Sequence, residues 1–368
     1  MKKIGILTFA TADNYGAVLQ AYALKYSLLN MGNPTHVINF YYPKTQRVKQ
    51  FFYGYRPSIK WFVRRIFSVL FRPIGKYYRQ RYFGPFRKKY LEDTPPVFSK
   101  DLPALSKKYD LFITGSDQIF NPRLTEFDTD FFLAFSQDTS KNASYAASFG
   151  LELDQFVEKE KAFIRTHLAH LAHISVREKQ GKTIIQTLAP ERSVGVHIDP
   201  TLLFAKSAWE QIAVCPVCTQ KYALLYLMHH NEPFARFAKD IAAQNGWTLV
   251  TIPSQTELKD WRPLFHKAPT VQEWIGLFLN AQYVFTNSFH GLAFAINFNK
   301  PFLTAPLKRQ GDASSRLNNL LETVGLQQRR FDPSVKQSIE KPIDWNAVNK
   351  VLAIEREKAF TYLQEITK

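Results

Sequence analysis

The chain has 368 residues, length enough for two domains of ordinary size. Its 45% apolar content holds no run of 18 apolar residues, which excludes a transmembrane helix, and two cysteines (Cys215 and Cys218) cannot supply a disulfide framework or a four-cysteine zinc site. Lys and Arg number 48 against 31 Asp and Glu, a formal charge of +17, and 14 of those cations fall between Lys44 and Lys89 with no acid among them.

The opening MKKIGILTFATAD imitates a signal peptide. Its apolar run is about seven residues, the short limit for such a segment, and a βα pattern follows directly, so residues 2–9 read as a first strand in a cytoplasmic protein. Asn14-Tyr15-Gly16 then forms a turn and helix cap. Ala17, Ala21, Leu24, Leu28 and Met31 share a helix face, and residues 35–40 make a second strand. This Rossmann-like βαβ opening lacks the G-x-G-x-x-G of a dinucleotide site. Residues 44–96 form a basic, aromatic insert. Ile59, Phe62, Val63, Ile66, Phe67 and Leu70 lie on one helical face flanked by Lys60, Arg64 and Arg65. Such a helix suits an anionic membrane surface, preferred here to a nucleic-acid partner or to a plain solvated face.

Four further strands are expected to end in polar residues: residues 109–114 at Ser116 and Asp117, 144–149 at Ser148, 174–176 at Arg177 and Glu178, and 194–198 at Asp199. In open α/β sheets ligands collect at such ends. The pattern breaks near residue 210. A second Rossmann-like domain then spans 211–343, with strands at 222–228 and 248–252 and helices at 234–245 and 270–279. Its centre is AQYVFTNSFHGLAFAINFNKP, read as strand, polar turn, helix, strand, with Ser288, His290 and Gly291 at the turn. A helix N-terminus there attracts anions. Residues 344–368 make a final helix. His229 and His230, adjacent on a strand, face opposite ways, and the His167, His170, His173 series carries no acidic partner at matching spacing, so no metal is expected.

Seven motifs, NYGAVLQAYAL, LFITGSDQIF, NASYAASFG, ISVREKQG, IDPTLL, TNSFHGLAFAINFNKPF and SSRLNNLLETVGL, occur in the order seen in the polysaccharide pyruvyltransferase family, which the chain resembles from Ile4 to about Leu326. The resemblance implies a GT-B-like α/β fold: domain 1–210 with the insert, domain 211–343, and the final helix packed back on the first domain. It implies transfer of an enolpyruvyl unit from phosphoenolpyruvate, a co-substrate rather than a cofactor, to a sugar of a capsule or other surface polysaccharide. The acceptor would be a lipid-linked precursor at the inner membrane face. His290 matches the family His, and Arg177 and Lys308 match its donor-binding cations. Ser288 stands where many relatives carry Arg, so one cationic contact is missing or Arg309 or Arg316 replaces it.

The chemistry needs a general acid for the enol methylene, for which His290 is the natural choice. It also needs a base for the acceptor hydroxyl, Asp117 or Glu178; a salt bridge from Glu178 to Arg177 or a nearby Lys is the competing reading of that residue. Ser288 and Gly291 join Arg177 and Lys308 on the donor. Asn14, Tyr15, Gly16, Ser116, Ser148 and Asp199 are expected to line the acceptor side. The alternative activity for this architecture is a glycosyltransferase using a nucleotide sugar.

Overall fold

The computed structural model describes residues 1–41, 72–215, 220–253, 268–305, 314–334, 339 and 341–368, without the side chains of 72–79, 314 and 315. Two parallel sheets organise them. The first has the order β2 (Thr35–Val37), β1 (Ile4–Leu7), β3 (Leu111–Thr114), β4 (Asn142–Ser144). Single bridges at Ala143–His173 and Ala147–Val176 extend it to the pair β5 (Ser175–Val176) and β6 (Gly195–Val196). The second sheet has the order β10 (Phe302–Thr304), β9 (Tyr283–Thr286), β7 (Tyr222–Tyr226), β8 (Thr248–Ile252). IGIL, LFIT, YALLY and YVFT are buried at every position. Parallel strands covered on both faces need such unbroken apolar runs. The N-terminal segment is thus an interior strand, since β1 pairs on both sides.

Helix α1 (Tyr15–Asn30) departs from the one-sided pattern expected of it: it is buried around most of its circumference from Tyr15 to Leu28. Helix α2 (Arg72–Tyr90), the end of the basic insert, lies against it through Tyr22, Phe86 and Tyr90. Two of the buried polar residues of α1 find partners elsewhere in the first half. Lys25 pairs with Asp93 at 2.6 Å, and Gln20 donates to Thr8 Oγ1 at 2.8 Å. The apolar face expected over residues 59–70 lies outside the described residues. The strand expected at 144–149 is shorter: β4 ends at Ser144, five residues before the expected end, and α3 (Glu158–Leu168) follows.

The remaining longer helices are α4 (Lys179–Leu188), α5 (Glu232–Gln244), α6 (Val271–Asn280), α7 (Phe289–Asn297), α8 (Ser314–Thr323) and α9 (Trp345–Thr367). A capping box opens α6: Thr270 N donates to Glu273 Oε2 at 2.8 Å, and Glu273 N to Thr270 Oγ1 at 3.3 Å. One apolar cluster runs through both halves of the chain, from Ile4 to Ile366. Specific polar contacts pin the halves together. Tyr15 Oη donates to Pro269 O at 2.6 Å while its ring stacks on Trp274, and Asn297 donates to Thr201 O and Phe204 O. Helix α9 lies against the first half, with Arg356 Nε donating to Leu202 O and Tyr362 Oη to Ser144 O. Among the described residues no helix is long and apolar enough to cross a membrane.

Candidate active site

The segment that carries His290 is fixed by its own polar residues. At the end of β9, Thr286 Oγ1 donates to Tyr226 O at 2.7 Å and accepts from Ser288 N at 3.1 Å. Asn287 Oδ1 accepts from Met228 N at 2.7 Å, and its Nδ2 donates to His229 O. Ser288 caps α7, its Oγ accepting from Gly291 N at 3.3 Å. Helix α7 begins at Phe289, so His290 and Gly291 belong to its first turn rather than to the preceding loop. Gly291 is required by close packing: a Cβ there would sit 2.4 Å from Thr286 Oγ1.

His290 reaches across to the first half. Its ring lies on Gly16, where an added Cβ would come within 2.0 Å of Nδ1. Its Nε2 stands 3.5 Å from Asp199 Oδ2, too long for a well-made hydrogen bond. Asp199 is the hub of the site. Oδ2 accepts from Arg177 Nη1 at 2.7 Å and from Ser116 Oγ at 3.3 Å, while Oδ1 accepts from Thr201 N and Oγ1. Burial pushes the Asp199 carboxyl up, but His290, Arg177 and the Thr201 N–H outweigh it and hold it well below the usual carboxylate range.

Arg177 is 3% exposed, and its plane lies over the Phe289 ring at 4.1 Å. Nε donates to Glu178 Oε1 at 2.8 Å. Burial works against its charge, yet Glu178, Asp199 and Asp117 together raise its pKa above the ordinary value. Three buried donors near this cluster have no partner among the described residues: Arg177 Nη2, His290 Nε2 and Arg316 Nε. Helices α1, α4 and α7 all begin here, adding the positive ends of their dipoles. The arrangement can hold an anion beside an imidazole between the two halves.

The four strand ends do come together, for Ser116, Arg177 and Asp199 are in contact and Ser148 N donates to Asp117 O at 2.8 Å. Most residues expected to meet the acceptor face inward instead. Tyr15, Ser116, Ser148 and Asp199 are each 1% exposed or less. Their polar atoms serve the fold: Ser116 Oγ donates to Ala146 O, Ser148 Oγ accepts from Gly150 N, and Tyr15 crosses to Pro269. Gly16 seats His290, and Asn14 Oδ1 caps α1 by accepting from Ala17 N. These residues build the walls of the site. Glu178 makes the salt bridge to Arg177 and is 3% exposed, whereas Asp117 is half-buried in a left-handed conformation, φ 66°. Lys308 and Arg309 lie outside the described residues.

Sequence reasoning overlooked Phe289, which reads as an ordinary core aromatic, and Gln20, whose Oε1 accepts from Ser116 N at 2.9 Å. It also separated the insert from the site. In the fold Phe83 of α2 packs on Tyr15 at 4.7 Å, and Arg87 pairs with Asp13 at 2.7 Å, one residue before the α1 cap. No group of three or more His, Cys, Asp or Glu is placed to hold a metal among the described residues.

A family model described as polysaccharide pyruvyl transferase matches residues 14–305. No curated protein matches the chain. Among solved structures it is similar to the UDP-GlcNAc 2-epimerase of Methanocaldococcus jannaschii, at 11% identity and a TM-score of 0.46, covering 96% of this chain and 92% of that one. It is also similar to the UDP-GlcNAc 2-epimerase of Neisseria meningitidis bound to UDP-GlcNAc, at 11% identity and a TM-score of 0.41, covering 100% and 94%. A third is the E. coli ADP-heptose LPS heptosyltransferase II, at 10% identity and a TM-score of 0.37, covering 97% and 99%.

Proposed function

Because the chain belongs to the polysaccharide pyruvyl transferase family, we propose that it moves a pyruvyl unit from phosphoenolpyruvate to a sugar of a surface polysaccharide or its lipid-linked precursor, closing a pyruvate ketal. The observation that carries this reading is the buried Arg177, its Nη2 unpartnered among the described residues, set with His290 around Asp199 where the two halves meet. Phosphoenolpyruvate is a compact polyanion and calls for such charge-assisted donors. His290 protonates the enol methylene, making C2 electrophilic. An acceptor hydroxyl adds to C2 as its proton passes to a base, and the C2–O bond to phosphate breaks. A second hydroxyl then adds to C2, its proton passing to the departed phosphate, and closes the ring. Asp117 suits the base better than Glu178, since Glu178 is occupied by Arg177.

The basic insert would bring this site to a lipid-linked acceptor on an anionic membrane face. Arg81, Lys88 and Lys89 of α2 are exposed, while Tyr82, Phe83 and Phe86 anchor the same helix to the site. Each nearby cation adds about 1 kcal/mol at such a surface. The test is incubation with phosphoenolpyruvate and a panel of lipid-linked sugars, reading phosphate release and product mass. A pyruvate ketal is expected. Thermal protection by a nucleotide and none by phosphoenolpyruvate would overturn the proposal in favour of glycosyl transfer; a ligand at 100 times its Kd adds about 2.7 kcal/mol.

A further inference from the structure

We propose that Arg316 is a donor-binding residue, its Nε and the Arg177 Nη2 together receiving one oxyanion group, phosphate or carboxylate, of the donor. This rests on the transferase reading above. Arg316 stands in the first turn of α8, which packs against α7. The same helix is tied to the start of α4 by Asn319, whose Oδ1 accepts from Lys179 N at 3.2 Å, two residues after Arg177. Both guanidinium groups therefore approach one place, and each keeps a buried N–H with no acceptor among the described residues.

The charges around the two are unequal. Arg177 has carboxylates on Nε and Nη1, which leaves Nη2 as its one open donor. Arg316 forms no ion pair with the described residues. Burial, and then the neighbouring Arg177, bring its pKa down to about 10, while Glu178, Asp117 and Asp199 oppose this only in part. A half-buried cation beside the buried, like-charged Arg177 is unfavourable until an anion joins them. An oxyanion accepting from both groups would satisfy the open N–H bonds and separate the charges. Arginine suits this geometry because its donors lie in a rigid plane; a lysine would supply charge alone.

Calorimetric titration with phosphoenolpyruvate, inorganic phosphate and pyruvate tests this on wild type, Arg316→Gln and Arg316→Lys. Arg316→Gln should bind phosphoenolpyruvate about 10- to 100-fold more weakly, the loss of one charge-assisted hydrogen bond. Arg316→Lys should fall between, and it decides the matter if the Gln variant does not fold. Turnover should show a raised donor KM with the sugar KM unchanged. Whichever of phosphate and pyruvate weakens with the substitution identifies the group held. If wild type binds phosphoenolpyruvate and Arg316→Gln binds it within threefold, Arg316 has no such role. If wild type binds no phosphoenolpyruvate, the transferase reading fails; the phosphate and pyruvate titrations then still judge the arginine pair, and failure of both to bind would overturn it too.

Discussion

Gly16→Ala is a one-carbon change that should disable the proposed reaction from the far half of the molecule. Gly16 lies in the first turn of α1, where alanine is the better helix former by about 1 kcal/mol. Local structure alone therefore favours the substitution. Packing opposes it. The new methyl would sit 2.0 Å from His290 Nδ1 and 2.4 Å from Cγ, where real contacts stay above 3.0 Å. The imidazole must move by about 1 Å or α1 must back away. Helix α1 is buried on nearly every side and tied across the halves by Tyr15, so the ring is the part that yields. Overpacking costs about 1–3 kcal/mol, partly offset by the helix propensity, so Tm should drop by only a few degrees. A 1 Å misplacement of a reacting group costs about 100-fold in rate.

The assay is phosphate release from phosphoenolpyruvate at saturating acceptor, with donor affinity measured separately. Turnover should fall about 100-fold while affinity for phosphoenolpyruvate changes little, because Arg177 is untouched. The double variant with His290→Ala should be no slower than His290→Ala alone, since both act through one ring. Wild-type turnover in Gly16→Ala, or additive losses in the double variant, would refute the packing argument.

His290→Ala by itself should lower turnover by about 10²–10⁴-fold, and activity within about threefold of wild type would remove the imidazole from the mechanism. Arg177→Lys keeps a charge between Asp199 and Glu178 but loses the planar donors, so the donor KM should rise tenfold or more at a constant sugar KM; a rise confined to the sugar would contradict the assignment. For stability against pH, burial holds the His197 imidazole down at about 4, with Glu355 opposing and Lys358 assisting, against about 6.5 in the unfolded chain. The fold favours the neutral ring, so this contribution is intact above pH ~6.5 and is lost as pH falls through 4. Tm should decline across that window less steeply in His197→Phe, and parallel profiles would count against it. Finally, the chain should sediment with anionic vesicles but not neutral ones and be released at 1 M salt, where the Debye length is about 3 Å; replacing Arg64, Arg65, Arg81 and Lys88 by Gln should abolish binding, and unchanged sedimentation would end the membrane role.

The sheets were legible because burial on both faces leaves a plain mark: IGIL, LFIT and YVFT are buried throughout and hold no charged residue. The meeting of Arg177 and Asp199 was legible for a related reason, since the C-terminal ends of parallel strands share one edge, whereas His290 arrives from the second sheet. The direction of each polar side chain was not. A serine or tyrosine after a strand looks the same in sequence whether it meets a ligand or a carbonyl of its own chain. Tyr15 turns out to bond Pro269 and Ser148 to receive Gly150, partners remote in sequence or hidden in loop geometry. The all-round burial of α1 was hidden likewise, because the surfaces that cover Gln20 and Lys25 come from Thr8, Ser116 and Asp93. Buried donors are nearly always satisfied in folded chains. An open one is thus a sharper pointer to a ligand than a polar residue at a strand end. Applied around Asp199, that criterion retains Arg177 and His290, sets aside Tyr15, Ser116 and Ser148, and selects Arg316, which the sequence offered together with Arg309 as a replacement for the cation missing at Ser288.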